Sequence, residues 1–430
     1  MQPPRRAPLL RALRHRNYRL FFSGQSVSLV GTWITRIATS WLVYRLTGSA
    51  LLLGIVGFCG QIPTLLLAPF SGVIVDRANR RRMLVATQVL SMLQSLALAV
   101  LALAGIITVA EILVLQVAQG IINAFDTPAR QAFAIEMVEE RADLPNAIAI
   151  NSSMVTGSRI IGPTVGGILI AASSEGWCFL VDAISYIAVI ASLLAMRLPD
   201  TGSSSRQRGS ALEELREGVR YVSGFVPART VLLLLALVST MGMPYVVLMP
   251  AVASRILHGG PHTLGFLMTA SGAGALAGSM YLVARPSVLG LGRAIAVATM
   301  TFGVGLAAFA LSHALWLSLL LLPIAGGGFM VQAASTNTIL QTIVDERLRG
   351  RVMAFYAMAF LGTAPIGSLV AGVVANRIGV PMTIFFGGVA CVAGGAWFTL
   401  RLPKLRATIR QIYVERGILP AAADAEAPAI

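Results

Sequence analysis

The chain has 430 residues, 56% of them apolar and 12% charged, with a mean hydropathy of +0.78 and a net charge of +15. A soluble domain carries about 25% charged residues, so this composition excludes an ordinary cytosolic enzyme, a disulfide-stapled secreted domain and a disordered chain. At about 20 apolar residues per membrane-spanning helix, the length accommodates about a dozen spans and their connections.

Residues 1–18 form a basic lead with Arg5, Arg6, Arg11, Arg14 and Arg16. The apolar stretch behind them is too long for a signal-peptide core and lacks a clean cleavage site, so the segment reads as an uncleaved cytoplasmic approach to the first span. Spans are expected near 19–44, 51–75, 83–104, 108–130, 146–172 and 176–196. A second set is expected near 229–254, 263–284, 294–311, 314–338, 350–376 and 381–400. The expected architecture is an all-α polytopic membrane protein: a six-helix half over 19–196, a cytoplasmic linker over 197–228, a second half over 229–400 and a cytoplasmic tail over 401–430. Of the 33 basic residues, 28 fall in the N-terminus, the even-numbered loops and the tail. Positive charge stays on the cytoplasmic face, which places both termini inside and leaves no nucleic-acid footprint to explain.

The first span carries Gln25, Ser28, Thr32, Thr35, Arg36 and Thr39 along one helical face. The fourth repeats the pattern with Gln116, Gln119, Asn123, Asp126 and Arg130. Such stripes are costly against lipid and are expected to face a cavity or neighbouring helices, with Gln25, Thr32, Arg36, Gln119 and Asn123 as candidate cavity residues. Asp126 can pair with Arg130 at i+4 or reach other arginines in the loops.

Between the second and third spans lies Gly72-Val-Ile-Val-Asp76-Arg77-Ala-Asn79-Arg80-Arg81-Arg82-Met-Leu84. This loop resembles the signature of the major facilitator superfamily, a glycine followed at fixed distances by Asp, Arg, usually Gly, and a basic pair. Asn79 stands where the family usually has Gly; Asn tolerates left-handed backbone better than most residues. The resemblance implies the major facilitator fold, twelve helices in two halves that rock about a central cavity. It also implies that Asp76 and Arg80, with Gly72, Arg77, Arg81 and Asp126, latch the halves together near Gly350–Val352 in the outward-open state. The arginines may be read more plainly as topology markers.

In the fifth span, Gly162-Pro163-Thr-Val-Gly166-Gly167 resembles the end of a motif found in the family's antiporters, although Ser158 replaces its upstream glycine. Small residues let helices approach closely and Pro bends a span, so these four residues are expected to form a packed hinge. Arg159, near mid-depth, is the best candidate for an anionic or carbonyl-rich substrate, or for an internal carboxylate pair. Asp182 in the sixth span and Glu111 at the outer start of the fourth are the proton-coupling candidates; both could instead be hydrogen-bond partners at the outer edge.

The linker holds Thr201-Gly-Ser-Ser-Ser205 and then Leu212, Leu215, Val219 and Val222 at helical spacing. That pattern predicts an amphipathic helix on the inner surface or over the inner ends of the spans, with a solvated linker helix as the alternative. In the second half, the seventh span has Ser239 and Thr240 with Met241, Met243, Tyr245 and Met249, and the tenth has Gln332, Ser335, Thr336, Asn337 and Thr338. Gln332 and Asn337 are the cavity candidates there, in a surface otherwise mainly apolar. A shift of 206 residues lays Val138–Arg141 onto Val344–Arg347, Gly120 onto Gly326 and Gly166 onto Gly372, and a shift of 212 lays Val85–Thr87 onto Val297–Thr299. An internal duplication of this kind is how carriers build a midplane site.

The sequence has no nucleotide-binding G-x-x-x-x-G-K-[ST] loop, no H-E-x-x-H pair and no catalytic Cys/His pattern, so no catalytic residue, metal or cofactor is expected. Phrases such as Trp41-Leu-Val-Tyr-Arg-Leu-Thr-Gly-Ser49 and Phe125-Asp-Thr-Pro-Ala-Arg130 are similar to the branch of bacterial exporters for siderophores and macrolides. The expectation is a monomeric carrier in the inner membrane that exports a small, partly apolar compound in exchange for protons. A lysophospholipid or metabolite carrier, or a uniporter, is the alternative within the class; a non-transporting membrane sensor or scaffold is the alternative outside it.

Overall fold

The computed structural model describes residues 11–137, 143–196, 211–285, 287–416 and 419. The linker stretch 201–205, the repeat segment 138–141 and the side chains of Asp76, Leu212 and Leu215 lie outside what it describes. Buried in hydrocarbon, a backbone must satisfy its own hydrogen bonds, and the described elements are helices throughout. In order they are α1 (Arg16–Thr47), α2 (Ala50–Arg77), α3 (Arg80–Leu103), α4 (Val109–Glu136), α5 (Leu144–Ala172), α6 (Glu175–Ala195) and α7 (Ala211–Gly224). After these come α8 (Val226–Leu237), α9 (Tyr245–Ala251), α10 (Pro261–Val283), α11 (Leu291–Ala310) and α12 (Leu315–Ile343). The chain closes with α13 (Glu346–Ala357), α14 (Thr363–Ile378) and α15 (Val380–Glu415). A π turn at Val238–Gly242 joins α8 to α9 and another at Val252–Ile256 extends α9, making one span of Val226–Ile256; a third, Met358–Gly362, joins α13 to α14.

Among the described residues, eleven stretches are long and apolar enough to cross a membrane. Of the twelve expected spans, the one that falls short of that standard is α1, whose 32 residues include Arg16, Arg19, Arg36 and Arg45. At about 1.5 Å per residue it is ~48 Å long, ample for a crossing. Its deficit is polarity, and its buried face explains why that is tolerated: Gln25, Ser28 and Thr39 are packed inside. Connections between helices are short. A single residue, Gly379 at φ +88°, turns the chain from α14 into α15, a backbone conformation that costs Gly little.

The helices group into two compact units. The first comprises residues 1–46, 59–206 and 260–266; the second comprises 47–58, 207–259 and 267–430. One end of the first unit is a cluster of Tyr18, Phe21, Val75, Leu84, Phe133, Ile150 and Leu193. A strap closes it: Asp143, buried at the start of α5, forms an ion pair with Arg11, Oδ1 to Nε 2.7 Å, and faces His15 Nε2 at 3.1 Å. Beside it, Ala12 N donates to Asn146 Oδ1 at 2.9 Å, and Tyr18 donates to the Ala147 carbonyl at 2.7 Å.

In the second unit the amphipathic α7 is docked. Its Tyr221 and Val222, with Phe225 just beyond it, pack on the cluster of Leu232, Ile295, Leu340, Val352 and Phe398. Its Glu217 pairs with Arg351 and, at 3.5 Å, with Arg347. Of the apolar positions in the amphipathic pattern, Val222 packs on this cluster and Val219 is exposed.

The paired glycines of the internal repeat make matching crossings. A Cβ on Gly120 would meet the Gly60 carbonyl and Pro63 of α2, and one on Gly326 would meet the Ser271 carbonyl of α10. In each unit the glycine lets the fourth helix of the repeat press on the second.

Candidate functional site

The first unit carries a series of polar groups through its helices. Toward the C-terminal end of α4, Asp126 is 5% exposed. It accepts from Thr87 Oγ1 at 3.0 Å, Gln88 Nε2 at 2.7 Å and the Arg130 guanidinium at 3.2 Å. Four residues separate Asp126 from Arg130, which puts both on one face of α4. Farther along the same helix, Gln119 donates to Ser91 Oγ at 3.2 Å and to Asn123 Oδ1 at 3.1 Å.

Asp182 of α6 is 1% exposed. Ser95 Oγ of α3 donates to its Oδ2 at 2.8 Å, and Ser185 Oγ lies 3.4 Å from its Oδ1. Helix α1 covers the group through Gly31, where an added Cβ would stand 2.6 Å from Asp182 Oδ1. Asp182 is thus a carboxyl among hydroxyls, with no ion pair among the described residues.

Other candidates have more local duties. Glu111 accepts from Thr108 N at 2.6 Å and caps α4; Thr108-x-x-Glu111 is the capping-box pattern, and that signal was present in the sequence. Arg81 donates to the Leu193 and Leu194 carbonyls, both at 2.8 Å, and so caps the last turn of α6. Asn79 caps α3 by accepting from Arg82 N at 3.0 Å. Between the last turn of α1 and the start of α6, Arg45 forms a two-pronged pair with buried Glu175 at 2.7 and 3.1 Å, which the sequence reading did not single out.

The glycine–proline segment of α5 packs closely on two sides. A Cβ on Gly162 would collide with the Cβ of Trp33, and one on Gly166 would press on Ile34, both in α1. On the other side, Gly167 and the Pro163 carbonyl face Gly265 at the start of α10. Trp33 also receives two cations, with Arg36 Cζ 4.9 Å and Arg159 Cζ 5.8 Å from its ring centroid. Thr32 and Arg36 are exposed from the unit, while Gln25, Ser28 and Thr39 are buried within it. The stripe read from the sequence therefore divides into an inner and an outer row.

In the second unit, Gln332 and Thr336 are fully buried, 3.5 Å apart, and Gln332 Oε1 has no partner among the described residues. Asn337 accepts from Gln341. The main feature there is a run of rings, Tyr245–Phe302–Phe329–Phe360–Tyr356, with successive centroids 5.6 to 6.3 Å apart. Sequence reading missed it because its members come from five separate elements. Met249 and Tyr245 are core residues, while Met241 is exposed.

Long apolar helices in two units, with polar groups buried among them, are the make-up of a multi-pass membrane protein. A profile described as transmembrane secretion effector matches residues 7–415, and the chain belongs to that family of the major facilitator superfamily. It is 27% identical over 390 residues to the staphyloferrin A transporter of Staphylococcus aureus, spanning 90% of this chain and 97% of that one. It is 29% identical over 385 residues to the multidrug efflux pump Tap of Mycolicibacterium fortuitum (87% and 93%). With macrolide efflux protein A of Streptococcus pyogenes it shares 22% over 389 residues (88% and 96%). Among solved structures, a bacterial homologue of the human lysosomal transporter Spinster superposes with a TM-score of 0.69 at 16% identity, over 93% of this chain and 98% of that one. The nucleoside transporter NupG gives 0.68 at 15% identity, over 92% and 99%. These two likenesses establish the shared fold.

Proposed function

We propose that the chain exports small, partly apolar compounds from the bacterial cytoplasm in exchange for protons, by alternating access, as a monomer in the inner membrane with both termini inside. The observation that carries the coupling is Asp182: a buried carboxyl in the middle of an apolar helix, held by the hydroxyls of Ser95 and Ser185. Intramembrane carboxyls of this kind mark proton pathways. The relatives named for multidrug and macrolide efflux support the direction and the cargo class. One proton crossing 100 mV supplies about 2.3 kcal/mol, enough for a roughly fifty-fold gradient. The latch of Asp76, Arg77 and Arg80 rests on the family resemblance of the loop around Gly72, and Arg81 and Asp126 would act in it from the positions described above.

Proteoliposomes loaded with ethidium test this reading. An imposed pH gradient is expected to drive ethidium flux in the wild type. Asp182→Asn should lower that flux at least tenfold at equal protein insertion, and Asp76→Asn should do the same by disabling the latch. Flux independent of the gradient, or Asp182→Asn flux at the wild-type level, would remove proton exchange and favour a uniporter.

A further inference from the structure

Trp33 and Arg36 are three residues apart on α1 and share a face, and Arg159 lies three residues before Gly162 on α5. Gly162 is where α5 comes closest to Trp33, because any side chain there would strike the indole's Cβ. That approach brings Arg159 to the same ring as Arg36. With Cζ–centroid distances of 4.9 and 5.8 Å, the two guanidinium carbons are no more than 10.7 Å apart.

The acids of this unit whose side chains are described are all committed elsewhere. Asp126 holds Arg130, Asp143 holds Arg11 and His15, Glu175 holds Arg45, Glu111 caps α4, and Asp182 lies among hydroxyls. Among the described residues neither Arg36 nor Arg159 has a carboxylate partner. One indole face interacting with a cation is worth about 0.5–2 kcal/mol, far less than the cost of two like charges within membrane-spanning helices. Among the described residues, the arrangement lacks an anion.

We infer that Arg36, Trp33 and Arg159 form a recognition site for an oxyanion, so that the exported compounds include organic anions. This deepens the efflux reading and rests on it. A guanidinium fork presents parallel N–H donors, which match a carboxylate or phosphate in a bidentate manner, and the indole beside both arginines offers an apolar surface to the rest of the ligand. The oxyanion could be the carboxylate of a soluble acid or the phosphate of a lysolipid headgroup; the chemistry at the arginines is shared.

The test uses the full chain in a neutral detergent and reads the change in indole fluorescence that is lost in Trp33→Phe. The probes are tricarballylate, its uncharged triamide and lysophosphatidylglycerol. At least one anion is expected to bind the wild type, and the triamide to leave the signal unchanged. Arg36→Gln and Arg159→Gln should each weaken anion binding roughly tenfold or more. Arg36→Lys, which keeps the charge and lacks the fork, should fall between and shows that a loss is not simply unfolding. A response to tricarballylate alone assigns a soluble acid; a response to the lysolipid alone assigns a headgroup. Failure of both anions to bind, an equal response to the triamide, or wild-type anion affinity in both Gln variants would overturn the site. Gradient-driven ethidium flux in the wild type reports on efflux separately, so a transporter that moves ethidium and binds no anion would lose this inference and keep the broader reading.

Discussion

At the shift of 206 residues that relates the two halves of the sequence, Asn123 and Asp126 of α4 correspond to Phe329 and Gln332 of α12. In the first unit these positions belong to a chain of amides, hydroxyls and carboxyls; in the second, Phe329 stacks between Phe302 and Phe360 at 5.6 and 5.7 Å. The glycines beside them, Gly120 and Gly326, make equivalent crossings in both units. The duplicated backbone therefore kept its packing rules while the side chains on it diverged. Polar groups buried in a bundle require partners with defined geometry, whereas rings require only area and shape. One unit is organised to hold charge, the other to hold an apolar surface.

Exchanging the chemistry between the repeats is the direct way to break this contrast. Phe329→Asn should be the most damaging change: it removes a ring that is 3% exposed and inserts an amide with no prepared partner, for a loss of about 3–5 kcal/mol. Thermal unfolding in detergent measures it, and a change below about 1 kcal/mol would mean the rings are not a packed unit. The reverse exchange, Asp126→Gln, leaves Arg130 without its carboxylate and should cost about 1–3 kcal/mol, read in the same assay. Arg45→Ala removes the partner of buried Glu175 but leaves water access from the exposed Arg45 side, so roughly 1–2 kcal/mol is expected. The smallest effect lies at α7. The guanidinium of Arg351, with that of Arg347, holds the Glu217 carboxyl below the usual carboxylate range. A lowered acid stabilises the docked helix above its unfolded value of about 4.3 and loses that contribution as pH falls through the folded value. Proteolysis within the linker should therefore quicken as the medium is made acidic, and Glu217→Gln should abolish that dependence.

Much of the architecture was legible in sequence because membrane helices announce themselves by length and hydropathy, and the Asp126–Arg130 pair by its i,i+4 spacing. The motif around Gly162 likewise predicted close packing, and α1 and the start of α10 are what it packs on. What escaped the sequence was mostly remote in the chain. Asp143 sits 132 residues from Arg11, and nothing local joins them. The run of rings draws on positions 245, 302, 329, 356 and 360, each unremarkable within its own helix. The cap at Glu111, by contrast, was legible in its spacing from Thr108.

The strap of Arg11 and His15 on Asp143 also bears on biogenesis. When the first residues leave the ribosome, their acceptor has yet to be translated, and at ordinary synthesis rates it follows roughly ten seconds later. The leading segment must wait at the membrane surface until four further hydrophobic stretches have been inserted. The strap therefore closes only after the start of α5 has been made, an order that a ribosome-stalling series truncated on either side of residue 143 would time.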